Sequence, residues 1–329
     1  MIARPAAVTA QRRKFVNRFL QALLIVGAAF VWHSGARANA LVDQPYVVGY
    51  GDRLATAVFI DGKGSITLLL DTASSRTILY KRASIQAGLQ PLPGERVTVY
   101  GLTGVLKAPA IRLQELRISD ERVDGLTVAA LPNPSTEDTA VDGILGLDVL
   151  ERYCVVLDRT QQRLRLFPRA AGTPMPYSAW PSVPLLPRSV TAFPFDLWYI
   201  DAQFSKYNQG VVRTTALFDL GAGVTIINWQ TAHRFNLRKW GLAAPTTREV
   251  QDGLGERSPV ARLSGLWISI GSRDWLDQDV LIADPPVFDL LALNDKPTAI
   301  IGPGLLKNVS LAIDFQNRHL YFSPEEKDE

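Results

Sequence analysis

One pattern occurs twice in this chain, and it dictates two similar halves. In the first half, Ser65-Ile66-Thr67-Leu68-Leu69-Leu70 is an apolar, strand-like run that stops at Asp71, and Thr72-Ala73-Ser74 follow. In the second, Thr214-Thr215-Ala216-Leu217-Phe218 stops at Asp219, and Leu220-Gly221-Ala222-Gly223 follow. The two aspartates are 148 positions apart. Further blocks repeat in the same order. Ile144-Leu145-Gly146 is matched by Ile300-Ile301-Gly302, and Val155-Val156-Leu157-Asp158 by Leu311-Ala312-Ile313-Asp314, both at a separation of 156. Order and spacing agreeing over three blocks mark an internal repeat of lobe size. A fold built this way brings one aspartate from each half towards a pseudo-twofold axis.

The local signals are those of strands. Ala55–Ile60, Ser65–Leu70, Leu126–Leu131 and Leu266–Ile270 are short, rich in β-formers and bounded by turn residues. Asp61-Gly62-Lys63-Gly64 reads as a hairpin turn. Helices are predicted only over Lys81–Ala87, Asp148–Tyr153 and Trp229–Phe235. The expected class is therefore all-β. Residues 41–168 and 191–323 form the two lobes, and residues 324–329 a charged tail. Between the lobes, residues 169–190 hold five prolines. Such a stretch is stiff and poor in hydrogen-bond donors, so it reads as a linker.

Residues 1–40 read as an export signal, so the expected location is periplasmic or secreted. Arg12, Arg13, Lys14 and Arg18 precede an apolar run from Phe19 to Trp32, and Ala38-Asn39-Ala40 is a small-x-small cleavage site. The arginine pair also fits a twin-arginine signal loosely. The apolar run is short for a membrane span, which needs roughly 20 residues. No membrane association is expected once the leader is removed. The leader also accounts for the basic balance of the whole chain. The sequence has 35 Lys and Arg against 32 Asp and Glu, but the first 40 residues contribute six of the former and none of the latter. What remains carries a net charge of −3, which gives no reason to expect a nucleic-acid partner. Cys154 is the only cysteine, so no intramolecular disulfide forms. It lies in an alternating strand run and is read as buried.

An isolated aspartate after a strand is ordinarily a turn or cap residue. The repeated setting argues for more. Two carboxyl groups facing each other cannot both ionise, so they share a proton over a wide pH range. The ionised member can take a proton from water, and the protonated member can donate one to a carbonyl oxygen. No metal, cofactor or covalent intermediate is needed. Small residues behind each aspartate let backbone N–H groups approach its carboxylate. Asp158 and Asp314 open turns and are read as structural. Asp142, Asp148 and Asp284 lack regular ligand spacing, so no metal site is expected. Trp180, Trp198 and Trp275 are read as core or interface in preference to cleft lining.

These motifs resemble those of the retropepsin-like and pepsin-like aspartic peptidases, in the tandem form of bacterial periplasmic enzymes. The resemblance spans roughly residues 45–168 and 190–323. It implies a bilobal fold with a cleft between the lobes, catalysis by Asp71 and Asp219, and support from Thr72, Ala73, Ser74, Leu220 and Gly221. It also implies that Gly146 and Gly302 pack behind the aspartate loops. Val97 to Gly104 matches the family's flap, placing Tyr100, Gly101 and Leu102 over the substrate. Val250 to Gly255 is its counterpart, with Gly253 and Leu254 at the tip. A protein or peptide substrate and a monomer follow from the same resemblance. Two departures stand out. Ala73 replaces the usual glycine, and Leu220 replaces the usual hydroxyl residue, so the hydrogen-bonded grip between the loops is expected from Thr72 alone. The alternative reading is a non-catalytic peptide-binding protein on the same fold.

Overall fold

A computed structural model describes residues 38–101, 104–134, 140–168, 175–189, 196–238, 247–251 and 257–324. It is a β protein of two similar lobes. In the first, Leu54–Ile60 and Ser65–Leu70 form a hairpin. Its turn holds Asp61 and Gly62 at φ 46° and 64°, and Lys63 N–H donates to Ile60 O at 2.8 Å. Both central residues are left-handed, as a primed hairpin turn requires.

The pairing that creates each aspartate loop is parallel. Gly143–Leu145 lies beside Leu68–Leu70, and Thr298–Ile301 beside Thr215–Phe218. A third short strand joins each from the other side, Ile78–Tyr80 in the first lobe and Ile226–Ile227 in the second. Apart from Thr215 and Thr298, the paired residues of all three members are buried and apolar in each lobe. Buried on both faces, such strands read as continuous apolar runs, as the sequence does here. Ser65–Leu70 and Gly210–Phe218 end immediately before Asp71 and Asp219, so each aspartate falls where strand becomes loop.

The lobes share a sheet of six strands. Its order is Ser182–Pro184, His319–Phe322, Leu311–Asp314, Tyr153–Asp158, Arg163–Pro168 and Val42–Val48. The central pairing, Cys154 to Leu157 against Asp314 to Leu311, joins one lobe to the other. Leu41 N–H donates to Leu166 O at 2.8 Å, just past the predicted cleavage site. Cys154 is buried in this sheet beside Tyr177 and Phe167. Asp158 and Asp314 accept from Gln161 N–H and Asn317 N–H in their turns, at 2.8 and 2.9 Å.

Three expectations need correction. The proline-rich stretch is not merely a linker, because Ser182–Pro184 pairs with His319–Tyr321 and Leu186–Ser189 with Asp196–Tyr199. Proline lacks a donor but keeps its carbonyl. Pro181 O accepts from Phe322 N–H at 2.9 Å, and such positions at sheet edges tolerate proline. The helix predicted over Asp148–Tyr153 is Leu147–Leu150. Tyr153 already pairs with Pro168 in the shared sheet. The helix predicted to Phe235 ends at His233. Asn228 caps its start by accepting from Thr231 N–H at 2.9 Å.

The tryptophans lie in packing positions. Trp198 is buried with its ring 5.4 Å from Phe315. Trp275 meets Phe322 and Trp180 meets Tyr177. Among the described residues, no helix is long and apolar enough to cross a membrane.

Candidate active site

Asp71 and Asp219 emerge from equivalent places. Asp71 N–H donates to Leu145 O and Asp219 N–H to Ile301 O, each at 3.1 Å. Each carboxylate then turns back onto its own loop. Asp71 Oδ1 accepts from the N–H groups of Ala73 and Ser74, both at 2.8 Å. Asp219 Oδ1 accepts from Gly221 N–H at 2.8 Å and Ala222 N–H at 3.2 Å. One oxygen of each carboxyl is thus fixed by its own backbone. The two carboxyl groups lie within hydrogen-bond reach of one another. Asp71 is closely overlaid by the opposite loop: a Cβ on Gly221 would lie 2.4 Å from Asp71 Cγ and Oδ2. No side chain fits there, so glycine is required by space.

Glycines behind the loops set their depth. A Cβ on Gly146 would lie 2.5 Å from Arg76 O and 2.9 Å from Ser74 O. On Gly302 it would lie 2.6 Å from Val224 O and 2.8 Å from Ala222 O. These are matching positions of the two loops, and both glycines are packing residues, as expected from sequence. Leu147 N–H also donates to Ser74 O at 2.8 Å. Ser74 is buried, and its hydroxyl donates to Arg76 O at 2.7 Å.

The grip between the loops is one-sided. The buried Thr72 hydroxyl donates to Phe218 O at 2.8 Å and accepts from Leu220 N–H at 3.0 Å. Leu220 offers no hydroxyl in return. Its side chain is buried in the large apolar cluster that spans both lobes. An apolar contact thus stands at the position that repeats Thr72.

Burial raises the Asp71 carboxyl above its ordinary value, opposed by the Ala73 and Ser74 N–H groups, by Arg53 and by the bond with Asp219. Burial raises Asp219 further, and the negative charge of Asp71 adds to it. The N–H groups of Gly221 and Ala222 and the charge of Arg53 act in the opposite direction. Two close carboxyls in a partly buried site hold a common proton at pH values where separate ones have lost theirs.

The predicted flap is a β-hairpin, with Arg96–Gly101 paired to Gly104–Arg112 and Gly101 opposite Gly104. Tyr100 is packed against a cluster of the second lobe that contains Leu197, Tyr199 and Ile300, alongside Ala73 and Ala222. This hairpin of the first lobe therefore reaches over the aspartate loops to the second. In the second lobe Thr247–Gln251 pairs antiparallel with Arg257–Ala261, on either side of the expected counterpart tip. Leu102, Gly253 and Leu254 lie outside the described residues.

The remaining aspartates hold the scaffold. Asp142 accepts from Thr67 N–H at 3.0 Å and pairs with Arg82 at 3.2 Å. Asp284 accepts from Trp229 N–H at 2.9 Å. Asp148 accepts from both Thr77 N–H and Thr77 Oγ1, at 2.9 and 2.8 Å. Sequence reasoning missed this tie to the first loop and also missed Arg53. Aligning the repeats at Gly146 and Gly302 would have set Asp148 against Gly304 and revealed the asymmetry.

Residues 56–149 match the model of the aspartyl protease family. The chain is also similar to the crystal structure of the aspartic proteinase from Irpex lacteus. That match has a TM-score of 0.53 and 14% identity, over 86% of this chain and 97% of that one. The fold is that of the aspartic proteinases. No curated protein matches the chain by sequence. The family match covers the loop that carries Asp71.

Proposed function

We propose that the chain is an aspartic endopeptidase in which Asp71 and Asp219 activate one water between them. The observation that carries this reading is the meeting of two carboxyl groups from separate halves, each braced by two N–H groups of its own loop. With one proton between them, the ionised carboxyl removes a proton from water as it attacks the scissile carbonyl. The other carboxyl donates its proton to the carbonyl oxygen. The product is a tetrahedral diol, and proton return to the amide nitrogen breaks the C–N bond. The substrate is an extended peptide whose backbone pairs with the edges of the cleft. The hairpin carrying Tyr100 covers it. One chain supplies both aspartates, so the active unit is a monomer. The basic, apolar leader supports action outside the cytoplasm.

The test is cleavage of a peptide library at acid and neutral pH by the wild type, Asp71→Asn and Asp219→Asn. Cleavage by the wild type and its loss in both variants is the expected result. A folded wild type that binds peptides but cuts none at any pH would make the protein a peptide-binding module and overturn the reading.

A further inference from the structure

A cation of the first lobe reaches the second aspartate loop and acts on both carboxyls. Gly51 has φ +68° and sits against the opposite loop: a Cβ there would lie 2.9 Å from Gly223 Cα. This close crossing, which glycine's left-handed φ favours and its missing Cβ makes room for, delivers Arg53 to the site. The Cδ of Arg53 lies 3.9 Å from where a Cβ on Gly223 would be, four residues beyond Asp219. Arg53 is partly buried, and its charge bears on both Asp71 and Asp219.

Strand register identifies its counterpart. Ala55 pairs with Leu69, and Tyr199 with Leu217. Leu69 and Leu217 each precede an aspartate by two residues, so Arg53 corresponds to Leu197. Leu197 is 3% exposed and belongs to the apolar cluster beneath Tyr100. The second lobe therefore has no charge at the matching place.

The other charged and titratable groups near the loops are otherwise engaged. Asp52 approaches Gly304, with Oδ2 3.4 Å from where a Cβ would lie. Arg159 donates to Pro303 O at 3.3 Å and lies near Tyr46 and Asp52. Asp148 is tied to Thr77, with Arg76 and Arg152 near it. Tyr100 faces the site from the hairpin.

We propose that Arg53 is a positioning residue of this site: its guanidinium stabilises the singly charged form of the carboxyl pair and so sets the pH range of hydrolysis. The proposal rests on the peptidase reading for its consequence, but its physical core can be measured without turnover. A nearby cation favours the ionised form of a carboxylic acid, so its removal moves each ionisation to higher pH.

The experiment compares wild type, Arg53→Lys and Arg53→Met in pH profiles of kcat/KM. Methionine keeps an aliphatic stem against Gly223 without the charge. Both limbs of the profile are expected to move to higher pH in Arg53→Met and to stay near their wild-type positions in Arg53→Lys. In parallel, selectively 13C-labelled aspartate carboxyls are titrated by NMR, with Asp71 and Asp219 assigned through their Asn variants. Both should titrate at higher pH in Arg53→Met. Should that variant not fold, Arg53→Gln is read in its place. Unmoved limbs and unmoved carboxyl titrations in a folded, charge-free variant would overturn the proposal. A wild type that cleaves nothing defeats the peptidase reading alone, because the carboxyl titration still decides the role of Arg53.

Discussion

The two aspartate loops share a backbone plan and differ in what secures them. In the first, the Asp148 carboxylate holds Thr77 at both its N–H and its hydroxyl, and that hydroxyl accepts from Gly146 N–H at 3.3 Å. In the second, the corresponding positions are Gly304 and Thr225. Position 304 has no side chain to reach it, and the Thr225 hydroxyl is buried without a hydrogen-bond partner. The first loop also supplies the one hydroxyl that grips its neighbour, while the second contributes the buried Leu220. The first loop thus adds side-chain hydrogen bonds at two positions where the second has an unpartnered hydroxyl and an apolar side chain. A repeated fold needs its paired chemistry to be symmetric, but its supports can diverge.

The sharpest break in that comparison comes from exchanging the small residues after each aspartate. Gly221→Ala places a methyl against the Asp71 carboxyl and must displace it. Misplacing a reacting group by about 1 Å costs on the order of 100-fold in rate, so kcat/KM should fall at least that far while the fold survives. Ala73→Gly introduces no clash and should leave kcat/KM within a few-fold of wild type. Equal losses in the two variants would show that crowding against Asp71 is not what makes Gly221 necessary.

Next in size is the dependence of stability on pH. Asp219 is raised well above the ordinary aspartate value of 3.8, first by burial and then by Asp71. A carboxyl raised on folding holds its proton longer in the native state. Stability therefore falls as pH rises from the unfolded towards the folded value, and the cost is complete above both. Asp219→Asn removes that cost, so it should melt at a higher temperature than wild type at neutral pH. The difference should vanish near pH 3, where both states of wild type are protonated. A calorimetric series over pH checks this, and a constant difference would mean that the gain is not electrostatic.

The smallest effects separate the two threonines. Thr77→Val leaves Asp148 short of one donor and Gly146 N–H without its acceptor. Unmaking such buried bonds costs about 1–3 kcal/mol. Thr225→Val removes a hydroxyl that has no partner and should be neutral or mildly stabilising. Denaturant titrations of both variants read the difference directly.

Much of this was legible in sequence because the repeat fixes three things at once. An apolar run buried on both faces, an aspartate at its end and a glycine some eighty residues later are all demanded by the same packing, so each half predicts the other. The hairpin with Tyr100 was visible for a similar reason, through its β-rich strand and flanking glycines. Arg53 was not visible. A single arginine before an apolar strand has no pattern of its own, and only the close crossing of Gly51 over Gly223 makes it part of the site. The strands at Ser182–Pro184 and Leu186–Ser189 were hidden because prolines argue against a central strand, whereas these pair through the edges of existing sheets. The Asp148–Thr77 tie was missed because its partners are 71 residues apart and only one lobe has it.

The antiparallel union of Tyr153–Asp158 with Leu311–Asp314 has a further consequence. Each half, made alone, would present a bare, apolar strand margin with its ladder groups unsatisfied. Such a margin recruits any matching strand. Coexpressed as separate polypeptides, the halves have a built-in means of finding each other, whereas either one alone is a template for indiscriminate association.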